Sequence, residues 1–169
     1  MINTTLPQSN TAPACTALGS GVWLAFRHIA GTSAPAVPPP AAGAHLLSVE
    51  FCRRGRHALP AGDYCTIAAD GHAAVSMTAA GADDYYPGAV YEGLQFWIDP
   101  DAQTGSGFLA LMGLDVHGII NYFCAGGPYY CPMGDELAAL VDELWREFDV
   151  SGYASPGELR YAVVRLLYM

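Results

Sequence analysis

Residues 45–79 read HLLSVEFCRRGRHALPAGDYCTIAADGHAAVSMTA, and residues 90–99 read VYEGLQFWID. Both stretches consist of short β-prone runs separated by turns rich in glycine, aspartate and proline, and RRGRHALPAGD at 53–63 is predicted to be one of these turns. A further β-prone run, VWLAFRHI at 22–29, precedes them. Short strands at regular spacing, with no helical pattern between them, are typical of an antiparallel sandwich or barrel. The sequence therefore predicts an antiparallel β-sandwich or barrel over residues 19–99.

The last of these runs alternates between two kinds of side chain. Leu94, Phe96 and Ile98 fall on one face of the predicted strand, and Gln95 and Trp97 fall on the other, because successive side chains of a strand point to opposite faces. We therefore expect one face to be fully dry and the second to keep an aromatic ring together with a hydrogen-bonding amide.

The period of the apolar residues changes after residue 107. Spacings of three and four replace the alternation, which indicates two or three amphipathic helices over residues 107–169. The pair Gly126-Gly127 is predicted to stop the first of them. Ser155, Pro156 and Glu158 are placed as the N-cap, the first helical residue and the capping-box partner of the last. Strands followed by helices give an α+β class that is mostly β.

The length of 169 residues fits a single domain with one core. We assign residues 19–169 to this domain, with the barrel at 19–99 and the helical part at 107–169. Residues 1–18 are polar, proline-bearing and without period, which predicts a loose N-terminal arm or a strand added late to the sheet. The chain ends inside the apolar stripe of its last helix at Met169, so further protein is expected to follow it.

The charge of the chain is strongly negative. Its seven basic residues are all arginines, and sixteen acidic residues give a formal net charge of -9. Such a chain repels phosphate, so it is not expected to bind DNA by itself. Residues 1–10 lack the basic and apolar segments of a signal peptide, and no apolar run reaches the roughly 20 residues that a membrane-spanning helix needs. The expected location is the cytoplasm, with no membrane partner.

The motifs that accompany catalysis or cofactor binding do not occur in this sequence. The five cysteines are odd in number and have no CxxC spacing, so free thiols are expected instead of a disulfide framework or a thiolate zinc site. The chain has no GxSxG elbow and no glycine-rich phosphate loop. We therefore expect no enzyme activity and no cofactor.

The histidines stand singly in the sequence: His28, His45, His57, His72 and His117. A metal site inside a β-barrel typically gathers an HxH pair and a nearby glutamate, and this spacing is missing, so no metal is expected. Glu50 could pair with His45 or His57 in space. Asp83 and Asp84 adjoin in a predicted turn, where neighbouring carboxylates are usually solvated or capping.

A binding pocket remains as the main functional candidate. Aromatic rings combined with a few polar groups are typical of ligand pockets. Six residues on or beside predicted strands have this character: Trp23, Arg27, Tyr64, Tyr91, Gln95 and Trp97. Ordinary packing is the alternative for each of them. Arg53, Arg54 and Arg56 form a basic group that either contacts an acidic effector or partner or occupies a solvated turn.

The last helix carries a stripe of large apolar side chains: Leu159, Val163, Leu166 and Leu167. Burying such a side chain is worth roughly 1.5–3 kcal/mol, so the stripe has to be covered. Either the chain's own barrel covers it or a second copy of the helix does so in a homodimer, and both apply if different faces are used. The stripe is our candidate dimerisation surface.

Five segments resemble, in the same order, those of AraC-type transcription regulators of Firmicutes. FCRRGR at 51–56 is similar to the YCxxGR element of their effector domain, and GDYCTI at 62–67 is similar to the turn and strand that follow it. YPGAVYEGLQFWID at 86–99 resembles their FPxGxYxGIxIxID segment. INYFCAGGPYY at 120–130 resembles a helix that ends in KFC, and PGELRYAVVRLLYM at 156–169 resembles their closing helix.

The resemblance implies a cupin-like β-barrel or jelly roll that binds a small effector, followed by helices that pair two subunits. It also implies a C-terminal DNA-binding domain with helix-turn-helix units, which this chain lacks. The sequence departs from the pattern at Ala69-Asp70-Gly71 and at Ala89-Val90-Tyr91, so no effector is carried over. We expect the sensing and dimerisation domain of a regulator. A metal-dependent cupin enzyme and a stand-alone protein that sequesters related regulators are the alternatives.

Overall fold

The computed structural model describes residues 15–34, 45–61, 63–79, 84–151 and 155–169. The strands in these ranges are β1 (Cys15–Gly19), β2 (Val22–Ala30), β3 (Ser33–Ala34), β4 (His45–Ala61), β5 (Tyr64–Ala69), β6 (His72–Ala79), β7 (Asp84–Tyr85), β8 (Val90–Ile98) and β9 (Tyr129–Pro132). The α-helices are α1 (Phe108–Leu111), α2 (Val116–Phe123), α3 (Asp135–Ser151) and α4 (Pro156–Tyr168).

The main sheet contains six of these strands in the order β1-β2-β8-β4-β6-β9. The second half of β4 leaves this sheet and pairs with β5 and β7, and β7 pairs with β3. All of these pairs are antiparallel. The described strands do not close into a barrel, since β1 and β9 are the edges of the main sheet. The predicted α+β class, mostly β, is confirmed in this open form.

Strand β4 bends where the sequence predicted a turn. The prediction for 53–63 is wrong, because β4 continues through most of that segment. The register against β8 shifts between Cys52 and Arg54, and Gly55 has a φ of 92°. A Cβ atom at Gly55 would lie 1.9 Å from the carbonyl oxygen of Val90, so only glycine permits this close approach. One continuous strand therefore belongs to both groups of strands.

Strand β9 brings the chain back to the main sheet between two helices. The sequence predicted only helices after residue 107, and this is wrong for Tyr129–Pro132, which pairs with β6. Helix α2 ends before Gly126-Gly127, and the chain then extends. A four-residue strand has no resolvable period, and its partner lies far back in the chain, so local pattern could not reveal it.

Strand β8 has the two faces that its alternation predicted, and both are buried. Leu94, Phe96 and Ile98 belong to the apolar core beneath the helices, while Gln95 and Trp97 are buried on the opposite face. Neighbouring strands and the helices complete the dry face with further aliphatic and aromatic side chains: Leu24, Leu47, Val49, Phe51, Leu109, Val116, Leu140, Val141 and Trp145.

Helix α4 begins as predicted. The Ser155 hydroxyl accepts a hydrogen bond from the backbone N–H of Glu158 at 3.3 Å, and the Glu158 carboxylate accepts one from the Ser155 N–H at 2.7 Å. This capping box satisfies two N–H groups that have no partner within the helix.

The apolar stripe of α4 packs on the chain's own core. Leu159, Val163 and Leu166 are 5%, 0% and 3% exposed, and Leu167 packs against them. The candidate dimerisation residues are therefore already covered in this structure. An interface between two copies of α4 has to use the opposite face of the helix, on which Tyr161 is exposed.

The described sheet begins at Cys15, within the segment 1–18 assigned to an N-terminal arm. The strand alternative therefore applies to the end of that segment. Residues 1–14 of the predicted arm lie outside the described residues. Among the helices that the structure describes, none combines the length and the apolar character needed to cross a membrane.

Candidate functional site

The second face of the main sheet carries polar and charged side chains. Gln95 of β8 lies between Ala25 of β2 and Glu50 of β4 in the strand register. The bend in β4 and the short strand β7 bring further side chains to the same place. We use the term charged cluster for the following residues, which are joined by hydrogen bonds, ion pairs or ring contacts: Arg27, Glu50, His57, Asp84, Tyr86 and Gln95.

Arg27 is the buried cation of the charged cluster, with 0% of its side chain exposed. Its Nη1 donates hydrogen bonds to Asp84 Oδ2 at 2.5 Å and to Gln95 Oε1 at 2.9 Å. The Gln95 amide in turn donates to the Ser48 hydroxyl at 3.1 Å. The guanidinium also lies 5.5 Å from the ring centroid of Tyr86, within the range of a cation–π contact. Arg27 is therefore held in one orientation by several neighbours.

His57 lies beyond the bend of β4 and contacts two carboxylates. Its Nδ1 is 2.6 Å from Glu50 Oε2, and its Nε2 is 3.4 Å from Asp84 Oδ1. Burial alone would lower the pKa of His57, but the two carboxylates outweigh it and raise the pKa to about 9. The imidazole is therefore protonated at neutral pH and acts as a second cation.

Asp84 accepts hydrogen bonds from two members of the charged cluster. Besides Arg27, the Tyr86 hydroxyl donates to its Oδ2 at 3.3 Å. Burial would raise the pKa of Asp84, but the contacts with His57 and Arg27 outweigh it and lower the pKa. The expectation of a solvated carboxylate is wrong for Asp84, whose side chain is 13% exposed; its neighbour Asp83 lies outside the described residues.

Two tyrosines enclose the imidazole of His57. Tyr86 stacks on it with ring centroids 4.8 Å apart, and Tyr91 approaches it edge-on at 5.9 Å. Burial raises the pKa of both tyrosines well above the ordinary value of 10.0, so both hydroxyls are neutral. Gly93 is needed beside them, because a Cβ at that position would lie 2.4 Å from the Tyr91 hydroxyl.

The structure brings together most of the residues predicted for ligand binding. Arg27, Tyr91, Gln95 and Trp97 are 0–3% exposed, and all four lie on the face that carries the charged cluster. Trp23 packs at the edge of the same face, against Trp97. The assignment of these residues to an effector remains a prediction.

Tyr64 lies apart from this group, with 68% of its surface exposed. It lines a surface cleft of about 340 Å³ that includes none of the other predicted ligand-binding residues. The remaining lining residues are uncharged: Pro60, Ala61, Met77, Cys124, Gly126, Gly127 and Pro128.

Sequence reasoning missed His57, Asp84 and Tyr86 as members of the site. Glu50 was recognised only as a possible partner of His45 or His57, and the structure selects His57. The pairing of β4 with β8 places Glu50 beside Gln95. The contact between His57 and Glu50 depends on the bend at Gly55, and the glycine is the only local feature of the sequence that indicates this bend.

The basic group on β4 makes contacts within the chain. Arg53 forms an ion pair with Asp142 of α3 at 2.7 Å, and its guanidinium lies 4.7 Å from the ring centroid of Trp145. Arg54 is 68% exposed and lies 3.9 Å from Glu92. The Arg53 side chain thus connects the bend of β4 to helix α3.

The described residues contain no group of three or more histidine, cysteine, aspartate or glutamate side chains placed to hold a metal ion. The five cysteines are free thiols. Burial raises the pKa of Cys52, which packs with Tyr86 and Tyr91, to about 12, so it is not a nucleophile at neutral pH.

No protein-family model and no curated protein matches this sequence. Solved structures do match, and the fold of this chain is similar to that of one AraC-like transcription regulator. The structure that establishes this is the AraC-like transcriptional activator CuxR, with a TM-score of 0.55 and 13% identity over 90% of this chain and 51% of that chain.

Two more distant structures are similar over most of the chain. ToxT from Vibrio cholerae has a TM-score of 0.43 and 7% identity, covering 85% of this chain and 53% of that one. Streptomyces albus HEPD, solved with substrate and Fe(II), has a TM-score of 0.29 and 12% identity, covering 91% and 40%. The chain thus spans about half the length of the two regulators.

Proposed function

We propose that this chain is the signal-sensing and dimerisation domain of an AraC-type transcription regulator, with a cupin-like arrangement of its strands. The observation that carries the proposal is the fold shared with CuxR over 90% of the chain. DNA binding then belongs to a further, C-terminal domain, in accord with the net charge of -9. On this proposal the domain works in the cytoplasm and catalyses no reaction.

We assign the effector site to the charged cluster on energetic grounds. Replacing a buried ion pair by apolar side chains of similar volume is often neutral or stabilising, so such pairs are weak contributors to stability. The opposite face of the same sheet shows that this chain builds an ordinary apolar core where stability is needed. The charged cluster contributes little net free energy to folding, because the cost of desolvating its charges offsets their attraction. We therefore assign it a role in recognition.

The pairing of two copies is proposed through the outer faces of the C-terminal helices. The inner face of α4 is used by the chain's own core, whereas Tyr161 and Tyr168 are 65% and 59% exposed. Tyrosines are enriched in protein interfaces. Effector binding would then change the relative placement of two attached DNA-binding domains.

The proposal is tested with the chain as it stands. We expect light scattering to give twice the monomer mass, and we expect at least one compound of a metabolite library to raise the melting temperature in the wild type but not in Arg27→Met. A strict monomer whose melting no compound changes would overturn the proposal. A stoichiometric metal accompanied by turnover would favour the cupin enzyme instead.

A further inference from the structure

We propose that the effector is a small molecule with a carboxylate end, and that Asp84 occupies the place of that carboxylate in the unliganded protein. The inference rests on the proposed function, since it names the ligand class for the same site. Its basis is the set of donors that converge on the Asp84 side chain.

The donors around Asp84 form a cage for one carboxylate. Arg27 Nη1 lies 2.5 Å from Oδ2, the Tyr86 hydroxyl donates to the same oxygen at 3.3 Å, and His57 Nε2 faces Oδ1 at 3.4 Å. Two cations and a neutral hydroxyl thus point at two oxygens of one group. Arginine is favoured where carboxylates are bound, because its guanidinium is always charged and carries several N–H donors.

Asp84 does not fill the cage completely. His57 Nε2 is buried and makes no hydrogen bond within the described residues, although Asp84 Oδ1 is close. Glu50 holds the other ring nitrogen at 2.6 Å, so the imidazole is fixed with Nε2 directed at the cage. A carboxylate carried by a free molecule is not tied to the backbone of β7 and can approach this nitrogen more closely.

Asp84 is also the most accessible charged member of the cluster. Its side chain is 13% exposed, against 0% for Arg27, 1% for Glu50 and 3% for His57. It belongs to a strand of two residues that pairs with β4 at a single position, Ala58↔Tyr85, and with the equally short strand β3 at Ser33↔Tyr85 and Ala34↔Asp84. The ligand's anionic end would therefore enter from the side of Asp84 and displace its carboxylate into solvent.

Charge decides between ligand classes. Displacing the Asp84 carboxylate takes one negative charge away from Arg27 and His57 and leaves Glu50 as the remaining carboxylate of the charged cluster. An excess of buried positive charge is costly. A neutral ligand cannot compensate for this loss, and a cationic ligand would add to it. An anion of carboxylate size restores the original arrangement, so it is the class that the cage selects.

The test removes the internal carboxylate and supplies one from solution. We expect Asp84→Ala to lower the melting temperature and acetate or formate to restore it in a saturable way. At about ten times the dissociation constant, the expected rise is on the order of 4 °C. The wild type, in which Asp84 competes, should rise by less, and chloride at equal ionic strength should not reproduce the effect.

Two further variants make the test specific. Asp142→Ala removes a carboxylate from Arg53 at the surface, where the Asp142 side chain is 56% exposed, and its melting should not respond to acetate beyond the chloride control. The double variant Arg27→Met/Asp84→Ala should lose the saturable response, because the cage then lacks its main donor.

If Asp84→Ala is unfolded without acetate, the recovery of its circular dichroism signal on adding acetate replaces the melting temperature as the measured quantity. Asp84→Ser, which keeps a small polar side chain, then provides the second titration. Absence of a saturable response to acetate and formate in both variants overturns the inference. So does a response that survives removal of Arg27.

The outcome is separable from that of the proposed function. A neutral metabolite that stabilises the wild type with Arg27 intact, combined with no acetate response in Asp84→Ala, would support sensing and refute a carboxylate effector. An acetate response in Asp84→Ala, combined with a monomeric chain that no metabolite stabilises, would support the cage and refute the regulatory role.

Discussion

The two faces of the main sheet are built from the same strands but hold together by different means. On the helix side, Leu94 and Phe96 pack among aliphatic and aromatic side chains. On the other side, Gln95 between them joins Arg27 and Ser48 through hydrogen bonds. Apolar contacts are non-directional and tolerate neighbours of similar volume, whereas buried charges depend on particular partners.

The comparison shows how one strand can serve stability and recognition together. The period of two assigns alternate residues of β4 and β8 to the two tasks. Substitutions on the dry face should therefore change the free energy of unfolding by the same amount at every pH. Substitutions on the polar face should have effects that vary with pH and with which neighbouring charges are present.

The largest effects are expected from removing one member of the buried ion pair. Arg27→Met removes the cation that is hydrogen-bonded to Asp84 and leaves it only His57, whose Nε2 lies 3.4 Å from Asp84 Oδ1. We expect a loss of about 3–5 kcal/mol in the free energy of unfolding, measured by urea denaturation. Adding Asp84→Leu should recover much of this loss, because both charges are then gone. Losses that simply add in the double variant would contradict the assigned pairing.

A loss of similar size with a different character is expected on the dry face. Phe96→Ala removes a ring that is 1% exposed and that packs edge-on against Phe51 with centroids 5.9 Å apart. We expect it to cost about 3–5 kcal/mol through the cavity left behind. The cost should be the same at pH 6 and pH 9; a clear difference would mean that the two faces are coupled.

The third effect is the pH dependence that His57 confers. Its pKa in the folded protein, about 9, lies above the ordinary value of 6.5, so its contribution is complete below about pH 6.5 and is lost as the pH rises to about 9. The difference corresponds to about 3 kcal/mol. The lowered pKa of Asp84 contributes its full stabilisation above the ordinary value of 3.8. This stabilisation is lost only at lower pH, outside the window of His57.

Urea titrations between pH 6 and pH 9.5 check this expectation, with His57→Gln as the comparison. The variant should be less stable than the wild type at pH 6 and should lose the decline that the wild type shows toward pH 9. A wild-type stability that stays level across the window would show that the pKa of His57 is not raised in the folded protein.

These expectations separate what the sequence could predict from what it could not. The capping box at Ser155 and the alternation in β8 depend on residues a few positions apart, so local pattern revealed them. The charged cluster depends on β4 bending at Gly55 and on Asp84 reaching Arg27 from a strand of two residues. Such long-range contacts leave no period in the sequence.

The smallest effect is expected from the surface counterpart of the buried ion pair. Asp142→Ala breaks the contact with Arg53 where the carboxylate side chain is 56% exposed, and exposed pairs contribute about 0.2–1 kcal/mol at most. Salt should abolish even this difference. A loss as large as that of Arg27→Met would mean that the contact between Arg53 and Asp142 contributes far more to the stability of the fold than an exposed ion pair does.

The bend of β4 also sets a limit on how this sequence can change in length. Glu50 and His57 meet across the bend, seven positions apart on one strand. One added or deleted residue between them would turn every later side chain of β4 to the opposite side of the sheet, and His57 would face away from Glu50. Sequences that preserve this pairing should therefore align without gaps from position 50 to position 57, while the turns on either side remain free to vary in length.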